Sequence, residues 1–438
     1  MKKYTIQTYG CQMNEHDSEK IAWMLEQMGY VFTNNKESSD LIIYNTCAIR
    51  QTAEDKVYGQ LGSLKELKRN NPDLIICVCG CMTQIERSRN IINSKYKHVD
   101  IIFGTNNIHK LPQLIMAHEQ TGDMIIDVIE ESREINENIK SNRTHQHKAY
   151  VNIMYGCNNY CSYCIVPYAR GQEKSREPEN IIQEINKLSA SGYREITLLG
   201  QNVNSYGKTL QQNYNFVDLL KDINTIEGID RIRFMTSHPK DISDELIEAY
   251  GELDKLCNHL HLPIQSGSNK VLRNMNRKYT REEYLNKIRK IRKVVPDISI
   301  TTDIIVGFPG ESEKDFRDTL NLVEEVKFDS AYTFLYSIRS GTPASKMKDQ
   351  IDYTTKHNRF QKLLNTLNRI SLDKNQSLIN KDKKVLIDGI SKNDSKILIG
   401  RTESSKLVHL KGKKDLIGKI VNVRINDANT FTLKGQQI

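Results

Sequence analysis

The feature that most limits how this chain can fold is an alternation, run twice, of short apolar strand-like stretches with longer stretches of helical period. In the first run, residues 3–9, 40–45, 74–78 and 99–103 read as strands, and 15–28, 51–68 and 84–93 as helices. Such alternation predicts an open parallel sheet with helices on both faces. Residues 130–148 (EESREINENIKSNRTHQHK) are polar, carry almost no apolar periodicity and read as a linker. In the second run, 150–155, 195–199, 231–236, 259–264, 299–306 and 331–336 read as strands, and 179–191, 216–226, 243–250, 281–294 and 313–326 as helices. Six strand–helix units predict a barrel or partial barrel with its active site at the C-terminal strand ends. After a helical stretch at 355–375, the short runs 383–390, 396–401, 406–411 and 417–425 are punctuated by glycine and read as a small all-β barrel or sandwich. A chain of 438 residues exceeds one compact core. The expected organisation is α/β: an open sheet domain over 1–130, a linker over 131–148, a partial barrel over 149–376 and a β module over 377–438.

Charge and leader signals narrow the class. The net charge is +9, and residues 377–438 hold thirteen Lys or Arg against six Asp or Glu. That is the footprint of a nucleic-acid-binding module, with a solvated lysine-rich face as the alternative on charge alone. The first nine residues lack the basic-then-apolar pattern of a secretory signal. No apolar run approaches the ~20 residues that span a bilayer, so a cytoplasmic protein is expected.

The nine cysteines are ligand candidates rather than disulfide partners in a reducing compartment. Cys157, Cys161 and Cys164 stand in GCNNYCSYC, a CxxxCxxC directly after the first strand of the second run. Three thiolates on one short loop can wrap a cubane and ligate three of its irons, leaving the fourth open to a substrate. A structural zinc site would need a fourth Cys or His nearby, and a thioredoxin-like pair would not need the third cysteine. Cys11, Cys47 and Cys81 follow the first three strands of the first run. In a parallel sheet those exits gather at one edge, so the three either form a second three-thiolate site or are unrelated strand-end cysteines. Cys77 and Cys79 read as small buried hydrophobes and Cys257 as structural, although spacing alone leaves Cys79 as a possible substitute for Cys81.

The chain resembles the radical S-adenosylmethionine superfamily at that CxxxCxxC. TYGCQMNEHDSEK (8–20), NTCAIR (45–50) and GCM (80–82) are similar to the N-terminal domain of the methylthiotransferases within it. IVPYARGQEKSR (165–176), LLGQNVNSY (198–206), HLPIQSGSNKVLRNMNRKYTREEY (261–284) and DIIVGFPGE (303–311) continue the likeness, and GRTESSKLV (400–408) falls in what resembles the family's RNA-binding TRAM barrel. GCQMN and HLPIQSGS look most like the branch that methylthiolates N6-dimethylallyladenosine beside the tRNA anticodon. Sister branches act on threonylcarbamoyladenosine or a ribosomal protein, and a non-catalytic iron–sulfur RNA-binding protein is the rival from another class.

The resemblance implies two [4Fe–4S] clusters and S-adenosyl-L-methionine. Cys157, Cys161 and Cys164 would hold the cluster that binds and reductively cleaves S-adenosylmethionine, giving a radical that takes hydrogen from adenine C2. Cys11, Cys47 and Cys81 would hold the auxiliary cluster that supplies or carries sulfur, and a second S-adenosylmethionine would give the methyl group. An aromatic C–H has no acidic proton for a side-chain base, which fits the lack of any Ser/His/Asp constellation. Gly200 and Gln201 are placed to approach the methionine moiety, and Ser237, Gln265 and Asp303 to meet ribose or adenine, with turn or packing roles as the alternative. Arg170 and Arg176 are candidates for the cofactor carboxylate or substrate phosphates, with surface salt bridges as theirs. Implied partners are the tRNA anticodon stem-loop, an electron donor such as a flavodoxin or ferredoxin, and a sulfur source. A monomer off the membrane is expected.

Overall fold

The first alternation forms a six-stranded sheet, all of whose pairings are parallel. Its order is Val31–Phe32, Lys3–Tyr9, Leu41–Thr46, Ile75–Gly80, Ile101–Phe103, Ile125–Asp127. The structure is a computed structural model describing residues 1–48, 51–129, 135, 137 and 139–438, with 51 and 52 described by backbone alone. Most of the acidic start of the expected linker and the last two residues of NTCAIR thus lie outside the described residues.

In the central strands alternating side chains go to opposite helical layers, which is why Leu41–Thr46, Ile75–Gly80 and Ile101–Phe103 are buried along their whole length. Leu41, Ile43, Cys77 and Cys79 pack against the helices Gln12–Gln27 and Leu111–Thr121. Ile42, Tyr44, Ile76 and Val78 pack against Gln51–Asn70 and Glu86–Lys95. The single helix expected at 84–93 is two, Cys81–Gln84 and Glu86–Lys95, parted by Ile85 in extended conformation. The sequence reading also missed the edge strands Val31–Phe32 and Ile125–Asp127, too short to show a period, and the helix Leu111–Thr121.

The second alternation forms two parallel three-stranded sheets. One runs Lys148–Asn152, Glu195–Leu199, Arg231–Phe234, and the other His259–His261, Ser299–Val306, Ser330–Leu335. A bridge between Ile232 and Leu256 joins them, so the six strands follow one another around a partial barrel. Among the described residues no pairing closes the gap between Ser330–Leu335 and Lys148–Asn152. The outer helices start where the sequence provides caps: Asn215 with Asp218, Thr280 with Glu283, and Ser312 with Asp315 each form a capping box.

After the helix Tyr353–Gln376 the chain closes a five-stranded barrel from Asp382–Ile390, Ile397–Thr402, Leu407–Lys411, Thr432–Gln437 and Ile420–Ala428. The strand Thr432–Gln437 escaped the sequence reading because TLKGQQ is mostly polar. This module covers the N-terminal ends of the large barrel's strands. Arg231 donates to the carbonyls of Arg401 and Lys384 at 2.8 and 2.9 Å, and Arg233 to those of Glu403 and Thr402, both at 2.8 Å. Lys148 and Lys406 add ion pairs to Asp388 and Asp329 at 3.0 and 2.9 Å. The opposite mouth, at the C-terminal strand ends, is left to the N-terminal domain. Among the described residues no helix is long and apolar enough to cross a membrane.

Candidate metal centres and active site

Sheet register builds the N-terminal cysteine site. Thr46 pairs with Tyr9 on one side and Gly80 on the other, so the chain leaves three neighbouring strands side by side just before Cys11, Cys47 and Cys81. Gly80 has φ +96°, and a Cβ there would lie 2.4 Å from the Thr46 carbonyl oxygen. Only glycine makes that turn, which breaks the strand alternation and sends Cys81 away from the face of Cys77 and Cys79. Cys79 stays in the core with Tyr4 and Ile21, whereas Cys81 packs with Ala48, Ile165 and Ala169. The structure thus brings Cys81, and not Cys79, together with Cys11 and Cys47. Asn14 and Asn45 brace the site: Asn14 Nδ2 donates to Asn45 Oδ1 at 2.9 Å, and Asn45 Nδ2 to the Asn14 carbonyl at 2.8 Å.

The barrel site is local. Gly156, at φ +72°, would drive a Cβ to 1.9 Å from the Gln172 carbonyl, so the turn into Cys157 also requires glycine. The loop is then pinned by the segment 274–277. Ser162 N donates to the Met275 carbonyl at 3.0 Å, Asn276 Nδ2 to the Tyr160 carbonyl at 2.9 Å, and the Arg277 guanidinium reaches Cys161 Sγ at 3.5 Å. Arg277 and the two bracing asparagines sit inside quoted family stretches, but nothing in the sequence singled them out.

Burial pushes the Cys157 thiol up to about 11 and those of Cys81 and Cys164 to about 12, with neighbouring cysteines of each triad adding to the rise. Solvent alone would leave these groups protonated at neutral pH, so a metal must displace the protons. Among the described residues no three His, Cys, Asp or Glu side chains close on one point as ligands of a single ion. A cubane seats each thiolate on a different iron and needs the wider spacing. Three free cysteines at each site are the donor set of a cluster that leaves one iron open.

The mouth between the triads carries buried polar atoms without partners. They include Asn152 Oδ1, Gln201 Oε1, Ser237 Oγ, His238 Nε2 and Gln265 Oε1. These residues end or follow the first four of the six barrel strands. Each such atom costs ~1–3 kcal/mol left bare, so a shared mouth lined with them suits a polar ligand such as S-adenosylmethionine. Thr236 and Gln265 are held there at φ +66°, a strain common at ligand sites.

The individual contact residues fare differently. Gly200 gives its carbonyl to Thr236 Oγ1 at 2.6 Å, and a Cβ on it would meet Met154. Gln201 turns its amide nitrogen to the Met13 sulfur beside Cys11. Asp303 is a quarter exposed, 3.5 Å from His261 Nε2. Arg176 has its Nε and terminal nitrogens on Glu137, Glu184 and the Asn152 carbonyl, at 2.6–2.9 Å, so it ties the end of the first barrel strand to the barrel's own helix Pro178–Ala190 and to Glu137 of the expected linker. Arg170 is likewise buried, against Asp17 and Cys81, and is no surface salt bridge.

Comparison with known proteins agrees with this layout. Residues 151–323 match the radical SAM superfamily, residues 3–104 the uncharacterized protein family UPF0004, and residues 376–438 the TRAM domain. The tRNA-2-methylthio-N(6)-dimethylallyladenosine synthase of Alkaliphilus oremlandii is 57% identical over 437 residues, covering 100% of this chain and 93% of that protein. The chain belongs to the tRNA-2-methylthio-N(6)-dimethylallyladenosine synthase family. A synthase of the same name from Clostridium botulinum is 54% identical over 436 residues, 100% of this chain and 97% of that one. Among solved structures, the radical S-adenosylmethionine methyltransferase TsrM from Kitasatospora setae aligns with a TM-score of 0.57 at 12% identity, covering 79% of this chain and 75% of that one, a likeness of fold. Synthases of this family are radical SAM enzymes that use S-adenosylmethionine and [4Fe–4S] clusters.

Proposed function

We infer that this chain methylthiolates C2 of N6-dimethylallyladenosine next to the anticodon in tRNA, with S-adenosylmethionine as radical source and methyl donor. The carrying observation is that Cys81 of one three-cysteine site packs on Ile165 and Ala169, directly after Cys164 of the other, with unpartnered polar atoms at the barrel strand ends nearby. Cys157, Cys161 and Cys164 are assigned to the cluster that binds S-adenosylmethionine, and Cys11, Cys47 and Cys81 to the cluster that handles sulfur. When bound, a reduced cluster with S-adenosylmethionine supplies one-electron cleavage chemistry able to take hydrogen from an unactivated C–H bond.

The chain's own residues do the rest. Gly200 lets the Met154 side chain pack against its backbone at the second strand end, and the free acceptors on Gln201 and Gln265, with Ser237 Oγ and the Asp303 carboxylate, are assigned to orient the cofactor's methionine and adenosine parts. The N-terminal domain lies over the mouth and excludes water, which protects a radical from quenching. A base taken from an anticodon loop gives up a few kcal/mol of stacking. Phosphate contacts from the lysines of 377–438 can offset that without reading sequence. The electron is assigned to a flavodoxin or ferredoxin and the sulfur to a separate source, in a cytoplasmic monomer.

The test is mass spectrometry of nucleosides from total tRNA of cells with and without the gene. Loss of the methylthio-dimethylallyl nucleoside, with the unthiolated prenylated form accumulating, is expected. An unchanged profile there, with a methylthio-threonylcarbamoyl species missing, would move the assignment to the sister activity.

A further inference from the structure

Arg170 belongs to one domain and serves the metal site of the other. It ends the short helix Val166–Arg170 that follows Cys164, in the barrel domain. From there its Nε donates to Cys81 Sγ at 3.1 Å, and a terminal nitrogen lies 2.8 Å from the carboxylate of Asp17, on the helix behind Cys11. All three groups are buried, with exposures of 7%, 5% and 3% for Arg170, Cys81 and Asp17. A guanidinium so deep costs several kcal/mol to desolvate unless it is matched. Asp17 matches its charge, and the remaining contact goes to a sulfur. A neutral thiol accepts such a bond weakly, whereas a thiolate on iron accepts it well.

The barrel triad has the same device with a different charge. Arg277 reaches Cys161 Sγ at 3.5 Å, and its other nitrogens donate to the Tyr279 hydroxyl at 2.9 Å and the Pro263 carbonyl at 2.8 Å. Among the described residues no carboxylate pairs with it. One triad therefore receives a sulfur hydrogen bond from a charge-balanced Arg–Asp pair, and the other receives one from an unbalanced cation. Hydrogen bonds to sulfur and net local charge both set a cluster's reduction potential.

Resting on the assignment of Cys11, Cys47 and Cys81 to a second cluster, we propose that Arg170 and Asp17 are a pair of positioning residues that set the reduction potential of that cluster, Arg170 raising it and Asp17 holding it down. No reaction step passes through either side chain.

The experiment uses the full chain with Cys157, Cys161 and Cys164 replaced by Ala, reconstituted with iron and sulfide, so that only the N-terminal cluster remains. Its potential is read by electron paramagnetic resonance during a redox titration, beside iron content per chain. Arg170→Gln, added to this background, removes the cation next to Asp17 and is expected to shift the potential down. Asp17→Asn leaves the cation unbalanced and is expected to shift it up. Arg170→Lys keeps the charge and is expected to fall between Arg170→Gln and the parent. Should Arg170→Gln fail to hold iron, Arg170→Lys against Asp17→Asn carries the same test of opposite signs. Potentials that do not move, or that move the same way in the Arg170 and Asp17 variants, overturn the proposal, since a merely structural pair would lose iron without splitting the sign. Absence of any cluster from the parent background overturns the cluster assignment and this inference with it.

Discussion

The two cysteine triads are assembled by opposite routes. The barrel triad spans eight residues of one loop and is complete once that loop is pinned by 274–277. The N-terminal triad draws on three strand ends and exists only when Lys3–Tyr9, Leu41–Thr46 and Ile75–Gly80 are paired in register. A one-residue slip in either pairing would turn a cysteine to the wrong face. In both sites a glycine with positive φ stands directly before a cysteine, Gly80 before Cys81 and Gly156 before Cys157. The comparison teaches that a local motif announces itself in sequence, whereas its partner is written in the topology and is only as stable as the sheet.

The largest effects should come from the cysteines. Cys157→Ala is expected to take both 5′-deoxyadenosine formation and methylthiolation to background, because the second depends on the first. Cys47→Ala is expected to take only methylthiolation to background, leaving 5′-deoxyadenosine near the parental rate. Chromatography of both products from one reaction checks this, and normal methylthiolation by Cys47→Ala would break the pairing of Cys47 with Cys11 and Cys81. Next come the glycines. Gly80→Ala and Gly156→Ala each combine left-handed backbone strain with a backbone clash, together ~2–4 kcal/mol. Gly80→Ala should cost iron at the N-terminal site alone and Gly156→Ala at the barrel site alone, read as iron per chain and by spectroscopy. Equal loss at both sites in either variant would show that the triads fold as one unit.

The same contrast explains what could be read beforehand. Placement of the main strands and helices in both α/β units followed from period, since central strands such as Leu41–Thr46, Ile75–Gly80 and Glu195–Leu199 are buried on both faces. Convergence of Cys11, Cys47 and Cys81 was expected from parallel-sheet topology; spacing left Cys79 open, the resemblance named Cys81, and the Gly80 turn supplies the physical reason the two cysteines face apart. Arg170 and Arg176 were visible as unusual arginines beside the CxxxCxxC, and the sequence allowed them to be anion ligands. It could not show that Asp17 and Glu137 would meet them, because those contacts arise only when the N-terminal domain and the linker meet the barrel, nor that Glu184, on the barrel's own helix, would turn back to Arg176. The final strand Thr432–Gln437 was hidden because a small closed barrel needs few apolar residues per strand, and here only Leu433 is fully buried.

The smallest expected effect separates the barrel from the N-terminal domain by pH. Glu311 is buried in the loop after Ser299–Val306, and burial raises its carboxyl from an ordinary 4.5 to about 7, despite bonds from the backbone at Gly307 and the nearby Arg359 guanidinium. Between those two values the folded chain holds a proton that the unfolded chain has released. Stability must therefore fall as pH rises from about 4.5 to about 7 and then level off, the contribution being ~3 kcal/mol at most. Glu311→Gln removes the titration while keeping the shape, so the variant should lose this slope and be the more stable protein at pH 8. Among the described residues Glu311's partners lie in the barrel unit, at Gly307, Phe308, Asp315 and Arg359. Hydrogen exchange at pH 6 and pH 8 should accordingly change in the barrel strands and not in Leu41–Thr46 or Ile75–Gly80. A parallel change in the N-terminal sheet would mean that the two triads, for all their different construction, share one cooperative unit.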